Sequence, residues 1–296
     1  MTHDSGAQGF LPFVQTGGER IARPVPACDY QGIVADPEVE WDMQEILRNL
    51  NLVAWDFETL IHVASTHPPL VTARSRSSRV VLGGGYEQYA GEQKQAGKSG
   101  RNLKEHRRRL QRSRGPVRFV AQATDLSVLS ALTQWKAVRF KGFADWARRT
   151  MELIHAASAD DFSGILSALY AGDSLVAAHF GVRCDGVLHY WFPGFNPEFS
   201  RYSAGQLLME DLIAQLPSLQ CHTLDLGPGG ELYKDYFANA SIEVLSGHYE
   251  NPALLTYARK LRRVLRDFVR TRPLLNDAAR PLIRLLRRPS GRDRSN

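Results

Sequence analysis

Residues 164–192 read GILSALYAGDSLVAAHFGVRCDGVLHYWF, and the fold turns on how this stretch is divided. Branched and aromatic residues fill three short runs, 164–170, 174–183 and 187–192. Turn residues separate them: Ala171, Gly172 and Asp173 in the first gap, Asp185 and Gly186 in the second. An Asp-Gly pair between two such runs is a strong local signal for a β-hairpin. The stretch therefore predicts an antiparallel meander of three strands. A two-residue turn at Asp185-Gly186 sets the register, pairing Cys184 with Val187 and Val182 with His189. His179 then falls on the other face, because a slip of one residue reverses every side chain of a strand. A three-residue loop would bring His179 and His189 to one face, but Asp-Gly favours the shorter turn. The two histidines are not expected to form a pair.

The pattern continues on both sides of the meander. Upstream, residues 117–123 alternate as a strand, and Leu126, Leu129, Leu132 and Trp135 recur at helical spacing. Trp146, Thr150 and Leu153 mark a second helix. Downstream, Ser203, Ala204, Gly205 and Gln206 have the form of a capping box opening a helix that runs to Leu216 and stops at Pro217. Residues 221–226 read as a strand, 231–237 as a short helix and 242–249 as a last strand. From residue 117 the order is strand, two helices, three strands, helix, strand, helix, strand. This α/β (α+β) succession is the element order of the acyl-CoA N-acyltransferase (GNAT-like) fold.

The first hundred residues are less regular. Residues 10–14, 52–57 and 69–73 read as short strands, 41–50 as a helix and 94–100 as a polar, Gly-containing linker. Residues 101–114 hold six Arg and one Lys against one Glu, with Leu103 and Leu110 as apolar anchors. So narrow a stripe predicts a largely solvated helix joining two lobes. On this reading a partial N-terminal GNAT-like lobe (1–97) and a basic linker helix (98–115) precede a complete GNAT-like acyltransferase unit (116–250). Basic amphipathic helices and a tail (251–296) follow.

Composition excludes several classes. With 296 residues, 43% hydrophobic and 23% charged, the chain has the make-up of a globular protein with one large core or two modest ones. The net charge of +6 is uneven, with an excess of +10 in residues 251–296 and −4 in the remainder. That asymmetry concerns where the tail sits rather than the main chemistry. Cys28, Cys184 and Cys221 lie far apart without CxxC spacing. Neither a disulfide framework nor a metal site is expected. No apolar run approaches the ~20 residues that span a bilayer. The start, MTHDSGAQGF, lacks the charged-then-apolar form of a secretion signal. A cytoplasmic location is expected.

Three places can carry chemistry. The loop from Phe199 to Gln206 leads into a helix, where free N–H groups and the positive end of the dipole attract anions. Arg201, Ser203, Ala204, Gly205 and Gln206 are therefore candidates to hold a phosphate, which resemblance to the GNAT-like fold implies is the pyrophosphate of coenzyme A; a plain capped helix beside an Arg is the alternative. Residues 224–234, LDLGPGGELYK, place Asp225 at a strand end, Tyr233 on the next helix and Lys234 beside it. Asp225 is the candidate base and Lys234 a contact for an anionic acceptor or cofactor, while resemblance to the GNAT-like fold implies Tyr233 as the acid for the departing thiolate. Against this, Asp225 can simply cap the turn and Tyr233 pack in the core. Trp135, Lys136 and His189 are candidate acceptor contacts, with a core Trp, a solvated Lys and a satisfied structural His as the alternatives. Trp191 and Phe192 end a strand whose backbone N–H groups would polarise a thioester carbonyl.

The segments ARPV (22–25), DYQGI (29–33), GYEQY (85–89), RRRL (107–110) and QWK (134–136) recur in order with GDSLVAAH (172–179) and HYWFP (189–193). YSAG (202–205) and DLGPG (225–229), with Tyr233 and Lys234, complete the set. Together they resemble the CelD/BcsL-type acetyltransferases encoded with bacterial cellulose and exopolysaccharide machinery, relatives of the two-unit FemAB-type peptidyltransferases. The resemblance implies acyl transfer from an acyl-CoA, acetyl-CoA first, to an amine or hydroxyl of a sugar or polysaccharide precursor. It also implies a stretch before GFLPF (9–13) that is absent here, so the first unit is expected to be truncated.

Two other uses stand beside this one. A FemAB-like aminoacyl transferase would take charged tRNA, which the basic helix 101–114 can serve. A non-catalytic scaffold would dock on the polysaccharide synthase or the inner membrane through the C-terminal helix. There Leu254, Ala258, Leu261, Leu265 and Phe268 share one side, while Arg259, Arg262, Arg263, Arg266 and Arg270 largely occupy the other. Packing against the domain is the alternative for that helix. Residues after Arg287 are expected to be disordered.

Overall fold

From the N-terminus the chain forms β1 (Gly9–Phe10), β2 (Ile21–Ala22), β3 (Val34–Ala35), α1 (Met43–Asn49), β4 (Ala54–Leu60), β5 (Leu70–Val81), α2 (Gly85–Gln95) and α3 (Arg101–Arg114). It continues with β6 (Val117–Val120), α4 (Leu126–Ala137), α5 (Ala144–Ala156), β7 (Phe162–Ala171), β8 (Ser174–Cys184) and β9 (Val187–Phe195). The last elements are α6 (Ala204–Gln215), β10 (Thr223–Pro228), α7 (Leu232–Phe237) and β11 (Ala240–Glu250). These come from a computed structural model describing residues 9–251 apart from 18, 27, 37–38, 62–66, 99, 138–143, 158 and 160. The expected C-terminal helix and tail lie outside the described residues. From β6 onward the order is the one expected from the sequence. The helix α2 was not expected; it buries Tyr89 and otherwise faces largely outward, so hydrophobic spacing gives little sign of it.

Apart from the β1–β3 ribbon, the strands share one sheet in the order β2-β4-β11-β5-β10-β9-β8-β7-β6. Neighbours are antiparallel except β9 with β10 and β2 with β4. β5 lies between β10 and β11, with Val80 opposite Leu224 and Ser77 opposite Ile242. The segment before residue 98 thus supplies interior strands to the sheet completed by the segment after 115.

Both faces of the sheet are covered. On one, Leu103 and Leu110 of α3 and Leu207, Leu208 and Leu212 of α6 pack with Leu169, Val176, Leu188 and Leu224. On the other, Val128, Leu129 and Leu132 of α4 and Met151 of α5 meet Leu166, Ala178 and Phe180. A third core joins Met43 and Leu47 of α1 to Trp55, Phe57 and Tyr249. Each such buried side chain contributes roughly 1.5–3 kcal/mol, so apolar burial outweighs any single polar bond here. Arg107 adds a polar clamp between α3 and α6, donating to Asp211 at 2.7 and 3.0 Å and to Glu210 at 3.2 Å.

The β8–β9 turn has the expected register. Asp185 and Gly186 have φ of 46° and 70°, the left-handed pair that a type I′ turn requires. Cys184 pairs with Val187 and Val182 with His189. β9 then carries one extra residue, so that Phe180 faces Phe192. Gly181 lies at this bulge, where an added Cβ would sit 2.4 Å from the His189 carbonyl oxygen.

The capping box expected at 203–206 does not form. Ser203 is left-handed, with φ 54°, and its side chain makes no capping bond. That backbone turns its hydroxyl away from the helix, toward His106 Nδ1 at 2.8 Å.

Candidate functional site

The parallel strands β9 and β10 are in register over three pairs, Val187–Thr223, Leu188–Leu224 and His189–Asp225. Past that point β9 runs on to Phe195, whereas β10 shifts register and pairs Pro228 with Ser77 of β5. His189 and Asp225 therefore stand side by side where the two strands part. β9 leads through a 3-10 turn (Pro197–Tyr202) into α6, and β10 leads through a Gly-rich loop into α7.

Asp225 is buried and fully engaged. Its Oδ1 accepts from the Tyr30 hydroxyl at 2.5 Å and from the Gly227 amide at 2.9 Å. Its Oδ2 accepts from the Arg79 guanidinium at 2.9 Å. Burial, then the bond to Asp225, pushes the Tyr30 phenol above its ordinary range, so Tyr30 stays a donor. Ser77 is hydrogen-bonded to the same hydroxyl. His189 lies 5.7 Å from the Tyr30 ring, centre to centre, with Nε2 at 2.9 Å from Asp29 Oδ2 and Nδ1 at 3.9 Å from Asp225 Oδ1.

These contacts revise several expectations. Asp225 stands at the strand end as expected, but with both oxygens taken it anchors the site and is not placed to remove a proton from a substrate. Lys234 is buried, donates to the carbonyls of Pro228 (2.6 Å) and Gly227 (3.3 Å), and pairs with Glu231 at 3.0 Å. It staples the Gly-rich loop and is not an open anion contact. Tyr233 is partly buried against the α3–α6–α7 core, and the described contacts include no bond between it and Asp225. Burial, with Glu231 and Asp29 nearby, pushes its phenol up to about 12.

The remaining candidates fall in two groups. Trp135 packs in the α4–α5 core, while Lys136 lies over the Phe192 ring at 5.0 Å and Trp191 tilts against Phe180. Arg201 lies over the Tyr202 ring at 4.8 Å, facing an open cleft of about 540 Å³ shared with Arg109, Arg112 and Glu105. Ala204 is buried at the helix start, and an added Cβ on Gly205 would lie 3.5 Å from Phe195. Gln206 closes the turn through its amide to the Ser203 carbonyl at 2.9 Å.

Asp29, Tyr30, Ser77 and Arg79 were assigned no role from the sequence. Asp29 and Tyr30 lie in a segment that carries the family resemblance, but nothing local ties them to His189, 160 positions away. Arg79 could be placed only by knowing that β5 lies beside β10.

His179 is on the opposite face from His189, stacked on Tyr190 with ring centres 4.4 Å apart. Burial holds its imidazole down to about 3, against 6.5 ordinarily, so it is neutral in the native state. Below the unfolded value the unfolded chain takes up a proton that the native state refuses. Stability is then complete above about pH 6.5 and falls by about 1.4 kcal/mol per unit below it. His179→Met is expected to shrink the loss in unfolding free energy between pH 7 and 5 by about 2 kcal/mol. Chemical denaturation at the two pH values measures it; an unchanged loss would refute the assignment.

A three-strand meander whose last strand parts from a parallel neighbour, with a helix between them, defines the GNAT-type acyltransferase fold. Residues 97–235 match the family described as the acetyltransferase (GNAT) domain. Among solved structures, L-PGS from Bacillus licheniformis aligns with a TM-score of 0.58 and 11% identity, over 91% of this chain and 88% of that one. The C-terminal domain (DUF2156) of a protein described as a lysylphosphatidylglycerol synthetase from Agrobacterium fabrum gives 0.51 and 13%, over 86% and 84%. At these identities the likeness establishes the fold. No curated protein matches the sequence. No helix among the described residues is long and apolar enough to cross a membrane.

Proposed function

We propose that this protein transfers an acyl group, acetyl in the first case, from acyl-coenzyme A to an amine or hydroxyl of a sugar or polysaccharide precursor in cellulose or exopolysaccharide synthesis. The observation that carries the reading is the parting of β9 and β10 at His189 and Asp225. A gap between strands suits an extended, amide-bearing arm, which can lie there as an added strand would. The start of α6 suits a pyrophosphate: Arg201 is exposed, and Arg109 and Arg112 face the same cleft. Tyr233, protonated at neutral pH, is the donor for the departing thiolate. Residues 251–296, with their positive charge, would hold the protein near the inner membrane or the synthase.

Calorimetric titration with acetyl-CoA is expected to show binding that Arg201→Ala weakens about tenfold or more, the effect of one charge-assisted contact. No heat at millimolar ligand would remove the reading. Aminoacyl transfer from charged tRNA is a second reading. It is favoured by the exposed Arg101, Arg108, Arg109 and Arg112 of α3. Salt-sensitive tRNA binding with indifference to acetyl-CoA would select it.

A further inference from the structure

The parting of β9 and β10 is surrounded by three carboxylates, and they are not equivalent. Asp225 is buried and spent on Arg79, Tyr30 and Gly227. Glu231 is held by Lys234 at 3.0 Å. No Lys or Arg among the described residues forms an ion pair with Asp29: His189 Nε2 holds its Oδ2 at 2.9 Å, and its side chain is 37% exposed. Its Oδ1 has no hydrogen-bond partner among the described residues. Gly227 leaves room for it, since an added Cβ there would lie 3.2 Å from Asp29 Oδ2. The charge of Asp29 is felt by Tyr233 and by Glu231. Tyr233, the proposed donor to the thiolate, is therefore within electrostatic reach of Asp29.

We propose that Asp29 is the base that takes the acceptor's proton and that His189 is its positioning residue; this rests on the acyl-transfer reading. In the step, the acceptor's nitrogen or oxygen bonds to the acyl carbon as its proton passes to Asp29 Oδ1. The carbon–sulfur bond breaks, and the sulfur takes a proton from Tyr233. Solvent then carries the proton from Asp29 and restores Tyr233, so the net change moves one proton from acceptor to thiol. His189 donates through Nε2, which fixes one carboxylate oxygen and leaves the other turned outward. The base comes from outside residues 97–235, so the GNAT-matching part of the chain borrows it from the preceding segment.

The test measures thiol release from acetyl-CoA with glucosamine, which offers both an amine and hydroxyls, across pH, together with acetyl-CoA binding by calorimetry. Asp29→Asn is expected to lower kcat/KM about 100-fold, with acetyl-CoA binding as in wild type. His189→Ala is expected to lower kcat about tenfold or more through misplacement, while His189→Gln, whose amide keeps a donor for Asp29, recovers most of it. The inference is overturned by near wild-type rates for Asp29→Asn, or by His189→Gln doing no better than His189→Ala. It is equally overturned by a wild type that binds acetyl-CoA and releases no thiol. A wild type that does not bind acetyl-CoA removes the acyl-transfer reading itself, and this inference with it.

Discussion

Arg79→Ala is expected to lower the free energy of unfolding by about 3 kcal/mol, the lower end of the range for removing one partner of a buried ion pair. Arg79 is 29% exposed, so water can partly replace it, but Asp225 is 4% exposed and would keep only Tyr30 and the Gly227 amide as hydrogen-bond donors among the described residues. Asp225→Asn in the same background should recover part of the loss, because a neutral amide needs no counter-charge. Denaturant unfolding of the two single variants and the double variant gives the coupling directly. A loss below about 1 kcal/mol for Arg79→Ala would mean that the neutral donors suffice to hold the carboxylate.

The second large effect is expected at Trp55. This side chain is 1% exposed on β4, stacked on Tyr249 of β11 with ring centres 5.9 Å apart and planes 3° from parallel. Trp55→Ala should cost about 3–5 kcal/mol, the usual loss for emptying a large aromatic site. Because β4 and β5 are strands of the common sheet, calorimetry should show one cooperative transition moved to lower temperature. An early separate transition, with residues after 100 melting as before, would mean that the N-terminal strands are held independently.

What the sequence disclosed and what it hid have physical causes. The meander was legible because its signals are local: Asp185-Gly186 fixes a turn, the turn fixes a register, and the register separates His179 from His189. The basic helix was legible because Leu103 and Leu110 stand out among charges, and they are its buried residues. The capping box failed because Ser203 has the right side chain on a backbone that carries it elsewhere. Lys234 was misread because a Lys beside a Gly-rich loop signals an anion site as readily as a staple for that loop. The candidate site was half legible. His189 and Asp225 each lie in a recognisable motif, whereas Asp29 and Arg79 meet them only through pairings that span most of the chain.

The place of β5 has a consequence for any attempt to divide this protein. Its twelve residues, 70–81, find their neighbours in residues 223–228 and 240–250. A fragment ending near residue 97 would present a long strand bare along both edges, an invitation to aggregate. The complementary fragment would be left with a slot one strand wide between β10 and β11. Neither piece is a self-sufficient module, and each is the missing ligand of the other, as in a split reporter whose halves gain a shape only on meeting.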